Sequence, residues 1–217
     1  MNYSEMISNV KVYGLEESVM ASKYPMAVDV NKVSSEITNK TKSLASAPKG
    51  SGHDNFLKGI IVQFNLKMTP KMSVELERYH FIDFVSSQST MHRITKFDLD
   101  ESYIKYVDPR IIKIMKEKID EYNKIDIEWK YGLTPQCVEI QREHNEEMKR
   151  RYLEILYSNP CGFQLTARMT TNYQQLKTIY SQRKMHRLPE WTAFCDWIET
   201  LPYANEFILN TKTLEEE

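Results

Sequence analysis

The stretch from Ile60 to Met68 constrains this chain more than any other. Ile60, Val62, Phe64, Leu66 and Met68 alternate with Ile61, Gln63, Asn65 and Lys67. A two-residue period puts successive side chains on opposite faces of an extended chain, so the segment predicts a strand with one apolar face and one largely polar face. Directly after it, Thr69-Pro70 supplies a capping residue and a proline at the first helical position, which predicts a helix from about 70 to 80. Asp108-Pro109 and Thr134-Pro135 repeat that signature. Behind Pro109, the residues Ile111, Ile112, Met115, Ile119 and Tyr122 recur at helical spacing. Behind Pro135, a charged helix should run to about Tyr157, with Glu146 and Glu147 each four residues before Arg150 and Arg151, the favoured order for ion pairs. His144, among those charges, reads as an exposed histidine.

The last third alternates again. From Gly162 to Thr171, Phe163, Leu165, Ala167 and Met169 oppose Gln164, Thr166, Arg168 and Thr170, a second half-buried strand with an arginine on its polar side. Asn172 can cap a helix to about Lys184, bearing Leu176, Ile179, Tyr180 and Arg183. Pro189 opens a further helix whose stripe of Trp191, Phe194, Trp197 and Ile198 reads as core or subunit contact. Before residue 60 the signals are shorter: an edge strand at Val10–Tyr13, a helix from Leu15 to Tyr24 stopped near Pro25, a helix within 33–47, and a Pro/Gly loop over 47–52.

Composition removes several function classes. The chain has 217 residues, 41% hydrophobic and 27% charged, with a formal charge of −1, which fits a folded globular protein. Its cations are spread along the chain, unlike the concentrated basic face of a general duplex-DNA binder. No apolar run is long enough to span a membrane and no signal peptide is visible, so a cytoplasmic location is expected. The cysteines Cys137, Cys161 and Cys195 lie far apart without metal-site spacing, and each is expected to be a small buried residue. There is no glycine-rich phosphate loop, dinucleotide fingerprint, HExxH or nucleophile elbow. With only six glycines, any nucleotide site must be built from side chains and helix N-termini.

One segment is dense in polar donors. Arg78-Tyr79-His80-Phe81 and Ser86-Ser87-Gln88-Ser89-Thr90-Met91-His92-Arg93 hold two of the five histidines, two arginines and three serines. Such a set reads either as a solvated loop or as a site for an anionic nucleotide or cofactor, whose phosphate and ring oxygens require several oriented donors at once.

With these elements in place, most of the chain resembles the flavin-dependent thymidylate synthases. Gly52-His53 precedes the strand at 60–68. Tyr79-His80-Phe81 is followed, seven residues on, by Ser89. Pro160 leads into the later strand, Thr170-Thr171-Asn172 opens a helix, and Arg183 lies eleven residues after Asn172. The departures are specific. Tyr79 and Phe81 replace the arginines that flank the family's motif histidine, Ser87 replaces its glutamate, and Met91 its nucleotide-contacting arginine, with His92 and Arg93 just beyond. Lys58 stands where the family usually has a flavin-contacting glutamate. Thr166 takes the place of a strand arginine, with Arg168 two residues on, and Leu188–Ala193 lacks the base-contacting arginine. Exchanging a bidentate arginine for another residue type is not conservative at an anion site. The pattern is that of a divergent branch, of the kind carried by bacteriophages.

The resemblance implies an α+β fold with a mixed or antiparallel sheet flanked by helices, in one domain spanning 1–217 that includes a long helical segment at 109–158. It implies conversion of dUMP to dTMP, or a related reaction, with FAD as cofactor and NADPH and methylenetetrahydrofolate as co-substrates, in a homotetramer. The pyrimidine nucleotide is expected at Ser87, Gln88, Ser89, His92, Arg93 and Arg168, and the flavin at His53, Arg78, Tyr79, His80, Asn172 and Arg183. The alternative is a nucleotide-binding protein of the same fold without flavin chemistry. A flavin presence would separate the two.

Overall fold

A computed structural model describes residues 1–48, 50–132 and 138–210. The Thr134-Pro135 signature, Cys137, Lys49 of the Pro/Gly loop and the acidic end of the chain lie outside the described residues. The fold is α+β, and the chain clusters into two compact units: residues 1–68, 72–87 and 166–217 in the first, and 69–71 with 88–165 in the second.

The first unit is organised by a four-stranded sheet. Its strands are β1 (Ile7–Tyr13), β2 (Ile61–Met68), β3 (Ile82–Ser87) and β4 (Leu165–Asn172), in the spatial order β1-β2-β4-β3. β1 with β2 and β3 with β4 are antiparallel pairs. The alternation read from the sequence holds in β2, where Val62, Phe64 and Leu66 are fully buried and Gln63, Asn65 and Lys67 are not. In β4 it holds equally, with Ala167 and Met169 inward. Around the sheet run the helices α1 (Leu15–Ala21), α2 (Asn39–Ala45), α3 (Pro70–Leu76), α6 (Tyr173–Arg183) and α7 (Pro189–Ile198). The aromatic stripe of α7 belongs to the core: the Phe64 ring lies 4.5 Å from Trp197 and 5.9 Å from Phe194, between centroids. Such aromatic contacts add to the burial of large apolar area. Cys195 is buried with them, and burial pushes its thiol up to about 12.

Several helices are shorter than their sequence patterns suggest. α1 stops at Ala21 and a separate 3₁₀ turn carries Tyr24-Pro25-Met26. α2 begins only at Asn39, because Thr38 caps it by accepting from the Thr41 amide. α3 ends at Leu76, leaving Arg78, Tyr79 and His80 in the turn that leads to β3. Gly14 opens α1 at φ 70, and a Cβ there would meet the Gly59 carbonyl at 2.6 Å, so this position needs glycine.

The second unit is dominated by α4 (Pro109–Tyr131) and α5 (Val138–Ser158). Asp108 caps α4 as the Asp-Pro signature predicts. Met115, Ile119, Ile155, Phe163 and Ile94 form its core, with Ile112 and Tyr122 packed against them. Arg151 pairs with Glu147 at 2.7 Å as the spacing predicts, but Arg150 turns to Glu147 and Glu154 in place of Glu146. His144 departs from its expected solvent exposure: its ring stacks on Trp129 of α4 at 3.7 Å and 8°. Cys161 is exposed, contrary to the burial expected of it, because it follows Pro160 in a surface turn and not an element with a core face.

Candidate functional site

In the first unit a cleft of about 480 Å³ opens between the turn at Gly50–Asn55 and the start of α6. Its construction begins with a buried ion pair. Lys177 and Asp54 have side chains 1% and 2% exposed and meet at 2.9 Å. The Lys177 ammonium also donates to the carbonyls of Ala45 and Ala47, both at 2.7 Å, and so fills all three of its donor positions. The second Asp54 oxygen accepts from the Gln174 amide at 2.9 Å. A charge pair this deep persists only when its remaining hydrogen-bonding capacity is met, and here it is. The result is a loop with few glycines that is nevertheless fixed against α6.

Beyond that pair the cleft is lined by Asn55, Lys58, Phe81, Gln175 and Thr178. The Gln175 side chain accepts from the Phe81 amide at 3.4 Å, and Phe81 is 59% exposed. Since Lys177 neutralises Asp54, the charge left on the described lining is the Lys58 ammonium, which has no carboxylate partner among the described residues. An open aromatic ring, amide and hydroxyl groups and one available cation form a donor set that fits a flat ligand with an anionic end.

The residues expected at a flavin are distributed unevenly. Gly52 lines the cleft, and His53 lies beside it, exposed, in the same turn. Arg78 and His80 are exposed in the turn after α3. Asn172 caps α6: it is buried and its oxygen accepts from the Gln175 amide at 2.9 Å. Tyr79 and Arg183 are buried and turned into the protein. Arg183 Nε donates to the Tyr79 hydroxyl at 2.7 Å and Nη1 to Glu75 Oε2 at 2.6 Å, while the guanidinium lies 4.7 Å from the Trp191 ring. Trp191 Nε1 donates to the same Glu75 oxygen. The Leu188 amide donates to His186 Nδ1, which leaves the proton on Nε2, 3.3 Å from Glu75. Tyr79, Arg183 and Asn172 therefore each have a hydrogen-bond partner within the fold.

The residues expected at the nucleotide fall in both units. Arg168 lies on the polar face of β4. It reaches across the sheet to Gln63 and Asn65 of β2, each at 3.3 Å, and donates to the Asn9 carbonyl of β1 at 2.7 Å. Asn9 can offer that carbonyl because β1 bulges between Ser8 and Lys11, with Asn9 at φ 51, a conformation asparagine tolerates. All of these partners are neutral. Across the β3–β4 ladder Arg168 is paired with Ser86, whereas Ser87 is paired with Ala167. Alternation therefore puts Ser86, not Ser87, on the face of Arg168. Gln88, Ser89, His92 and Arg93 belong to the second unit. Ser89 sits at the N-cap of the short helix Thr90–Arg93 without using its hydroxyl to cap it, and His92 and Arg93 are exposed.

Sequence reasoning passed over the residues that shape the cleft. Gln174, Lys177 and Thr178 lie three and four residues apart on one side of α6, and Gln174 and Lys177 both reach Asp54; that polar spacing was legible, but Asp54 lies 123 residues from Lys177.

No protein-family model matches the sequence. No curated protein matches it either. The fold does match solved structures. The flavin-dependent thymidylate synthase ThyX from Helicobacter pylori complexed with FAD and dUMP superposes with a TM-score of 0.62 at 13% identity, covering 94% of this chain and 100% of that one. A second structure of the Helicobacter pylori enzyme with FAD and dUMP gives 0.61 at 13% identity, covering 94% and 99%. At such identity the likeness speaks for architecture: the chain carries the fold of the flavin-dependent thymidylate synthases.

Proposed function

We propose that this protein is a flavoenzyme that methylates a pyrimidine nucleotide, dUMP to dTMP or a related reaction, with FAD held in the cleft between Gly50–Lys58 and α6. The observation that carries the reading is the cleft itself. It lies beside His53, it is rigidly built by Lys177 and Asp54, and it carries the Lys58 ammonium, which has no ion-pair partner among the described residues. A glutamate at that position could only accept hydrogen bonds; a lysine attracts a phosphate group. Phe81 offers a ring for the flat part of the ligand, and Gln174, Gln175 and Thr178 offer hydrogen bonds. His53, Arg78 and His80, all exposed, complete the proposed cofactor contacts, while Asn172, Tyr79 and Arg183 support them from behind.

The nucleotide phosphate is assigned to Arg168, which the sheet orients through neutral groups and does not neutralise. Ser86, on the strength of its pairing with Arg168, is a further nucleotide contact on the same face of the sheet. Donors of this kind aimed at the carbonyl oxygens of the base stabilise the charge that develops there during electrophilic activation. When bound, FAD reduced by NADPH would supply a hydride and methylenetetrahydrofolate the one-carbon group. The protein's share is orientation, exclusion of water and charge stabilisation. A homotetramer is proposed with it; 13 tyrosines, 8 phenylalanines and 11 methionines are residue types enriched at interfaces.

The commitment of Tyr79, Arg183 and Asn172 to the fold favours one second reading, a nucleotide-binding protein without flavin chemistry. An assay for dTMP formation from dUMP with FAD, NADPH and methylenetetrahydrofolate separates the two. Turnover that falls with Arg168→Ala supports the enzyme. dUMP-dependent thermal stabilisation without FAD retention or turnover supports the binding protein.

A further inference from the structure

A second cleft of about 420 Å³ lies in the first unit, lined by none of the residues assigned above. Its apolar lining comes from Leu15 and Val19 of α1, from Ile37, and from Tyr203 in the turn after α7. Tyr203 is half exposed and its ring is 5.8 Å from that of Phe207. Glu16 and Glu36 also line the cleft, and neither has an ion-pair partner among the described residues. The cation on the lining, Lys42, is paired with Glu206 at 3.4 Å.

Both walls are fixed by side chains from outside the cleft. Lys23 pins the segment before α2 through its backbone, donating to the carbonyls of Ser34 at 2.8 Å and Glu36 at 2.6 Å and to the Ser34 hydroxyl. On the other side the Tyr173 hydroxyl donates to the Pro202 carbonyl at 2.8 Å and holds the turn that carries Tyr203. Preformed walls lower the ordering cost of binding.

We propose that this cleft is a second ligand site that takes a small organic cation with an apolar body, of the arylalkylammonium class. The apolar lining accepts the body, Tyr203 offers an aromatic surface to the cationic head, and Glu16 and Glu36 supply its counter-charge. An anion is disfavoured by the same two carboxylates, which separates this site in chemistry from the Lys58 cleft. Counting Glu16, Glu36 and Glu206 against Lys42 and Lys23, the surroundings retain one net negative charge.

The test uses the full chain and phenethylammonium as the probe, with 2-phenylethanol as its neutral counterpart, followed by calorimetry and by NMR shifts. The expected result is saturable binding of phenethylammonium, shifts at α1, Ile37 and Tyr203, weaker binding of the alcohol, and a loss of affinity of at least about tenfold in Glu16→Gln/Glu36→Gln. Both positions are exposed, so the double variant should melt like the wild type. Absence of saturable binding, equal affinity for the alcohol, or undiminished affinity in the folded double variant overturns the proposal.

Discussion

Arg183 and Arg168 are fifteen residues apart in the chain and are held in opposite ways. Arg183, at the end of α6, is 7% exposed and meets the Glu75 carboxylate, with the Tyr79 hydroxyl and the Trp191 ring around it. Arg168, on the sheet face, is half-buried and, among the described residues, meets only amide and backbone oxygens. The first guanidinium is neutralised where it stands. The second is oriented but keeps its charge for an anion. An arginine at a matching place in the chain is thus no guide to whether its charge is available; its partners decide that.

The largest effect is expected at the extreme case of a neutralised cation. Lys177→Met strands the Asp54 carboxylate, 2% exposed, and should cost about 3–5 kcal/mol in urea unfolding. A cost below about 1 kcal/mol would mean that the pair does not fix the cleft loop. Arg183→Ala should cost somewhat less, about 2–3 kcal/mol, because Glu75 is a quarter exposed and can be rehydrated. Arg168→Ala should stay within about 1 kcal/mol of the wild type in stability, yet weaken dUMP binding about tenfold or more by titration. Equal destabilisation by Arg168→Ala and Arg183→Ala would erase the contrast between the two sites.

The smallest effect belongs to the surface of the second unit. Hydrogen bonds from Arg150 and then Arg151 hold the Glu147 carboxyl at about 2, against an ordinary 4.5. A carboxyl depressed in the folded state contributes stability above its unfolded pKa and loses it as pH falls through the folded one. Melting temperatures between pH 4.5 and 2 should therefore fall slightly less steeply for Glu147→Gln than for the wild type. The Glu147 side chain is 42% exposed, so indistinguishable acid limbs would show that solvent screens these pairs completely.

The sequence was legible where burial imposes a period. β2, β4, α4 and α6 were all found because one face of each meets a core. β3 was not found: it is an edge strand with five of its six residues exposed, so nothing forces its side chains to alternate. Helix ends were overrun where a local cap such as Thr38 overrides an apolar pattern. The candidate site was legible in part. The Gly52-His53 turn and Arg168 could be read directly, but Arg183's partner is 108 residues distant and Lys177's is 123. Neither separation leaves a local signal. The bulge that turns the Asn9 carbonyl toward Arg168 leaves none either.

The central claim is that the cleft at Lys58 holds a flavin nucleotide. The most direct measurement is an FAD titration of the purified chain and of Lys58→Ala, read by quenching of flavin fluorescence and by the flavin absorbance that stays with the protein after desalting. The account predicts retention by the wild type, an affinity at least about tenfold lower in Lys58→Ala, and a wild-type affinity that falls with added salt. A wild type that retains no FAD, or a variant that retains it equally well, would contradict it.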